Sequence, residues 1–245
     1  MCTVSILPFE DGEFSLLMNR DESPLRPAAL DLKRGHSESG LEFAYPVDAK
    51  SGGTWMGVNS RGLAMALMNQ HPEGYARPAG LRSRGDLIPA FLPALGAHEA
   101  ASRLSRLDPS PFPPFFLIVL DSKGPFHALR WDGQDKEFLT YERGPRLFGS
   151  SSFQTEEVLL GRQQQFDALL AQVHAAADSE AALALQRRFH ASHLPSRGPY
   201  SVCMHRDDAE SVSLTEVRVR GLSVKLRYHA GPPCQEAAER ELALA

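Results

Sequence analysis

The sequence predicts an α+β fold in which antiparallel sheets carry helices on their outer faces. Three observations predict it. Hairpin turn signals join neighbouring β-rich segments, helical spacing appears in two separate blocks, and each block lies between runs of strands. No internal repeat or low-complexity linker divides residues 1–245, so one domain is expected.

The elements follow in order. Residues 3–7 are β-rich and begin directly after Cys2. Asp11-Gly12 is a hairpin signal, and residues 14–18 supply the returning strand. A third strand is expected at 41–45. Residues 54–58 and 63–67 flank Asn59-Ser60-Arg61-Gly62, which reads as another hairpin turn. From 83 to 107 the spacing turns helical: Leu87, Ile88, Phe91 and Leu92 share an apolar face, Pro89 and Pro93 limit that helix, and a second covers about 97–107. Strands resume at 115–121, 126–131, 137–141 and 146–148, with turns at Lys123-Gly124 and Asp132-Gly133. Amphipathic helices are expected at 155–174 and 179–190. Residues 202–205, 212–219 and 222–228 read as the last strands, before an Ala/Glu-rich tail.

Composition excludes several functions. A formal net charge of −4 leaves no electrostatic footprint for nucleic acid or anionic lipid. Local clusters of arginine, at Arg77, Arg82 and Arg84 and at Arg187 and Arg188, read as solvated faces. Cys2, Cys203 and Cys234 lie far apart without a C-x-x-C pair, which argues against a disulfide framework or a zinc site. The longest apolar stretch, 112–120, is broken by Pro113 and Pro114 and is too short to span a bilayer. No signal peptide is visible, so the cytoplasm is the expected location.

The chemistry centres on Cys2. Removal of the preceding methionine would leave its α-amine free, and that amine, with a pKa of about 7.7–8.0, would serve as base for the residue's own thiol. Many chains begin Met-Cys without consequence, so two further segments matter. Asn19-Arg20-Asp21-Glu22 ends the second strand as a dense polar run. Structurally it reads as an exposed turn into Pro24; functionally, Asp21 would hold the Cys2 ammonium and Arg20 would lower the thiol pKa or orient an oxyanion. Asn69 ends an otherwise apolar strand. There it is either a turn former or a donor to a developing oxyanion.

Met1-Cys2-Thr3-Val4, the Asn19-Arg20-Asp21-Glu22 block and Gly52-Gly53-Thr54-Trp55-Met56-Gly57 together resemble the NRDE-motif family, also known as transport and Golgi organisation protein 2-like. The resemblance is concentrated in residues 1–75 and continues co-linearly beyond. That family in turn resembles N-terminal-nucleophile hydrolases of the choloylglycine hydrolase, acid ceramidase and penicillin acyltransferase group. The resemblance implies a four-layer αββα sandwich and the catalytic set Cys2, Arg20, Asp21 and Asn69. Asn19, Trp55 and Arg197 are the expected substrate-binding residues. Where the hydrolase group has a second asparagine, this chain has Phe148-Gly149-Ser150-Ser151-Ser152; Arg197 is the only counterpart to a late arginine.

Other residues carry less. No histidine spacing matches a metal motif, so no metal is expected, and His190 and His193 read as structural or solvent-facing. Trp55 and Trp131 read as core or pocket-wall aromatics. Three functions follow. The first is a cysteine amidohydrolase or acyltransferase acting on a small acyl or amide substrate. The second is a ligand-binding or transfer protein for haem or a lipid-like acyl compound, with Cys203, His205 and His71 as axial-ligand candidates by residue type. The last is an interaction module for trafficking.

Overall fold

A computed structural model describes residues 2–244; the expectation concerning Met1 lies outside them. The chain begins with β1 (Cys2–Pro8) and β2 (Phe14–Glu22), then β3 (Leu30–His36), β4 (Glu42–Val47), β5 (Met56–Asn59) and β6 (Ala64–Asn69). Two short helices follow, α1 (Leu87–Phe91) and α2 (Ala97–Ser105). Next come β7 (Phe115–Leu120), β8 (Phe126–Trp131), β9 (Lys136–Tyr141) and β10 (Arg146–Ser150). The second helical block is α3 (Thr155–His174) and α4 (Ser179–His190), and the chain closes with β11 (Glu210–Arg220), β12 (Ser223–His229) and β13 (Glu239–Leu244).

These strands form two sheets with antiparallel neighbours throughout. One runs β10-β1-β2-β11-β12-β13, the other β3 through β9 in chain order. Period-2 alternation sends Val4, Ile6, Leu16 and Met18 of the first sheet against Met56, Val58, Ala66 and Ile118 of the second, forming the central core. Outer faces bury separately: Met65, Leu117 and Leu129 pack on Leu87, Ile88 and Leu104 of α1 and α2. Leu7 packs with Phe166 and Phe189 of α3 and α4. The expected αββα sandwich is therefore present.

Local chemistry explains the hairpins that position the site. Between β1 and β2, Asp11 and Gly12 adopt φ of 54° and 76°, the left-handed conformation that a tight reversal needs. In the Asn59–Gly62 turn, Asn59 Oδ1 accepts from the N–H groups of Arg61 and Leu63, and its Nδ2 donates to the carbonyls of Leu92 and Ala94 beneath α1.

Three expectations need correction. Residues 202–205 form no strand beyond an isolated bridge from His205 to Glu210. Their backbone is consumed elsewhere: Val202 O accepts from Asn19, Cys203 N donates to Ser192 O, and Met204 N donates to Ser211 Oγ. The edge strand β3 was not expected, because Leu30–His36 is mostly polar and exposed. The Ala/Glu-rich tail forms β13, whose alternation sends Leu242 and Leu244 into the central core while Glu239 and Glu241 face outward.

Candidate active site

Cys2 lies on an interior strand. Its register partners are Arg20 on β2 and Ser150 on β10, so the first hairpin and a strand from mid-chain flank it. Burial pushes the Cys2 thiol above its ordinary pKa, and the Asp21 carboxylate adds to that; the backbone N–H of Asp21, hydrogen-bonded to Sγ, and the Arg20 charge pull the other way. The net shift is upward, so the thiol is protonated at neutral pH and needs a base to attack.

Above it opens a cavity of about 500 Å³ whose wall includes Cys2, Arg20, Trp55 and Asn69. The guanidinium of Arg20 lies 4.5 Å over the Trp55 ring, and Trp55 Nε1 donates to Thr215 Oγ1 of β11 at 3.0 Å. Asp48 anchors the charged side. It accepts from Arg20 Nη2 at 2.7 Å, from Arg26 Nε and Nη2 at 2.9 and 2.8 Å, and from Ser51 N at 2.8 Å. Burial raises the Asp48 carboxyl, but Arg26, the Ser51 N–H and Arg20 outweigh it and hold the group at about 2.

Pleating separates the NRDE residues. Arg20 faces the cavity, whereas Asn19 points to the helical side, where its Nδ2 donates to the carbonyls of His190 and Val202 at 2.8 and 3.0 Å. Asn19 is thus placed in a buried polar layer, away from the cavity expected of a substrate-binding residue. In that layer Ser15 donates to Gln186, Gln186 to Ser5, and His190 bonds both Ser5 and Asn19. Asp21 accepts from Ser211 Oγ at 2.6 Å and lies 3.9 Å from Arg162 Nη1, which also donates to Thr3 Oγ1. Arg197 is likewise outside the cavity, with its Nη2 3.3 Å from His205 Nδ1.

Sequence reasoning missed several residues. Arg162 stands in the buried stripe Val158, Arg162, Phe166, Leu169 of α3, and a cation at that spacing was the available signal. Asp48 lies in a loop with no pattern to mark it. Arg77 and Arg84, read as part of a solvated face, line the cavity instead. Arg84 Nη1 donates to Pro114 O at 2.7 Å, and burial together with the Arg77 charge draws Arg84 down to about 10.

A second cluster stands apart. His193, Cys203, His205 and Cys234 bring one ligand atom each within 4.8 Å of one another. Cys203 and His205 were haem-ligand candidates, but His205 Nε2 lies 3.3–3.5 Å from His193 Nε2, Cys203 Sγ and Cys234 Sγ, which leaves no room for a porphyrin plane on that nitrogen. His71 is exposed.

A family model described as Transport and Golgi organisation 2 matches residues 1–206. The chain belongs to that family. A Bos taurus relative, named Transport and Golgi organization protein 2 homolog, is 38% identical over 90 residues, which cover 35% of this chain and 31% of that protein. The chain therefore matches about a third of the length of that curated relative. Among solved structures, a mutant conjugated bile acid hydrolase from Clostridium perfringens aligns with a TM-score of 0.60 at 10% identity, over 99% of this chain and 92% of its own. A penicillin V acylase from Agrobacterium tumefaciens aligns at 0.54 and 12% identity, over 94% and 83%. At such identities the likeness is one of fold: this Transport and Golgi organisation 2 member shares the N-terminal-nucleophile hydrolase architecture. Among the described residues, no helix is long and apolar enough to cross a membrane.

Proposed function

We propose that the chain is an N-terminal cysteine amidohydrolase or acyltransferase, acting on a nonpeptide C–N bond in a small substrate that carries an anionic group. The observation behind this reading is Cys2 in the wall of a cavity that also presents Arg20, Trp55 and Asn69. Once Met1 is removed, the α-amine of Cys2 takes the thiol proton as Sγ forms a bond to the acyl carbon. Asn69 Nδ2 and a backbone N–H receive the developing oxyanion. Collapse of this intermediate breaks the C–N bond, and the stored proton goes to the leaving amine. Water then hydrolyses the thioester, or an acceptor amine takes the acyl group.

Support for the base comes from the thiol itself, which burial keeps protonated. Asp21 is suited to hold the ammonium that forms, since Ser211 fixes its carboxylate. Arg20 is held by Asp48 and Trp55, so it acts as an oriented charge rather than a mobile one. The anionic part of the substrate is inferred from Arg77 and Arg84. Neither has a carboxylate ion pair among the described residues, and an anion between them would relieve their mutual repulsion.

The test combines intact mass with turnover. Purified protein should lack Met1, and a panel of N-acyl amino acids should be hydrolysed in preference to matched neutral N-acyl amides. Cys2→Ala should abolish that activity. Turnover that survives Cys2→Ala, or Met1 retained on nearly all molecules, overturns the proposal.

A further inference from the structure

We propose that His193, Cys203, His205 and Cys234 form a structural site for a tetrahedral divalent metal of the zinc class. The four come from three separate places: the end of α4, the irregular segment before β11, and the loop between β12 and β13. Their donor set, two thiols and two imidazoles, is the one zinc favours in closed structural sites.

The distances discriminate between a chance cluster and a coordination shell. A tetrahedral zinc, with Zn–N of about 2.05 Å and Zn–S of about 2.3 Å, sets two nitrogens roughly 3.3 Å apart and a nitrogen and sulfur roughly 3.5 Å apart. His193 Nε2 and His205 Nε2 are separated by 3.3 Å, and the two sulfurs lie 3.4 and 3.5 Å from His205 Nε2. The surroundings fit as well. With Nε2 directed at the other three ligands, His205 Nδ1 faces Glu210 Oε2 at 3.6 Å, the carboxylate-behind-histidine arrangement that orients metal ligands. Four protein ligands fill the shell and leave no open position for substrate, so the role is to fasten.

What it fastens is the back of the Cys2 site. The segment carrying Cys203 also supplies Ser201 O to Arg162, Val202 O to Asn19, and Met204 N to the Ser211 hydroxyl that holds Asp21. A metal joining this segment to Cys234 and the end of α4 would lock those contacts together. The inference does not depend on any catalytic activity.

Full-length reduced protein, purified without a polyhistidine tag, is titrated with Zn²⁺ or Co²⁺. One equivalent of zinc should remain after desalting. Cobalt should give intense tetrahedral d–d bands with a thiolate charge-transfer band, and a strong chelator should remove both reversibly without any substitution. Cys234→Ser should weaken zinc by more than about 100-fold, since loss of a ligand exceeds the 10–100-fold cost of losing an outer partner. Cys234 lies outside every strand, and circular dichroism should stay unchanged. Cys2→Ser, which keeps all four ligands, should bind the full equivalent. Reduced wild-type protein that takes up no equivalent overturns the proposal, including the case where it is isolated with a Cys203–Cys234 disulfide. Binding undiminished in the Cys203→Ser/Cys234→Ser double variant overturns it too.

Discussion

Lowering the pH from 7 to 5 should destabilise this protein through His190. The imidazole is wholly buried, and burial, helped by the Arg162 charge, draws its pKa from 6.5 to about 3. Its hydrogen bonds require the neutral form. Asn19 Oδ1 accepts from Nδ1, while Nε2 accepts from Ser5 Oγ, whose own acceptor capacity is used by Gln186 Nε2. Between pH 6.5 and about 3 the unfolded chain takes a proton that the folded chain refuses. The stability from neutral His190 is thus fully present above 6.5 and is lost as pH falls below it. At 1.36 kcal/mol per pH unit, the loss by pH 5 is roughly 2 kcal/mol. His190→Gln offers a donor and an acceptor but does not titrate, so it separates this loss from that of other groups. Urea unfolding at pH 7 and pH 5 should show the wild type losing about 2 kcal/mol more than the variant. Parallel losses in the two proteins would refute the reasoning.

Two further outcomes are expected. Arg84→Met should raise KM for anionic substrates by about 10-fold or more, the value of one charge-assisted hydrogen bond, and leave neutral amides nearly unaffected; steady-state kinetics on matched pairs checks this, and an equal effect on both would remove Arg84 from substrate binding. Gly53→Ala should cost about 1–3 kcal/mol in urea unfolding. A Cβ there would sit 2.8 Å from the Gly85 backbone, which lines the cavity, and a loss below about 0.5 kcal/mol would mean the crossing yields more easily than its geometry implies.

Much of the frame was legible because its signals are local. Helices α3 and α4 run over the residues the periodicity indicated; Asp178 caps α4 by accepting from Ala181 N. The proximity of Cys2 to Arg20 followed from one hairpin. The placement of Asn19 was also within reach, since Leu16, Met18 and Arg20 alternate with Leu17, Asn19 and Asp21, and only one of these sets faces the other sheet. The remainder was not. Asp48 and Arg84 act from loops whose paths depend on tertiary contacts, and His193, Cys203, His205 and Cys234 meet only through the packing of segments distant in sequence. Spacing rules detect ligands held by one short turn, and no such turn holds these.

The pairing order of the first sheet bears on how the protein comes into being. β1 and β2 form a local hairpin, but the outer partner of β1 is β10 and that of β2 is β11, so Cys2 meets Ser150 and Asn19 meets Leu214 across most of the chain. During synthesis the hairpin emerges early with both edges bare, and these non-local closures come late and slowly. Residues beyond 206, where the family match ends, then supply Ser211 to Asp21 and Thr215 to Trp55. A nonsense or frameshift lesion near the 3′ end of the coding sequence would therefore disarm the residue encoded at its start.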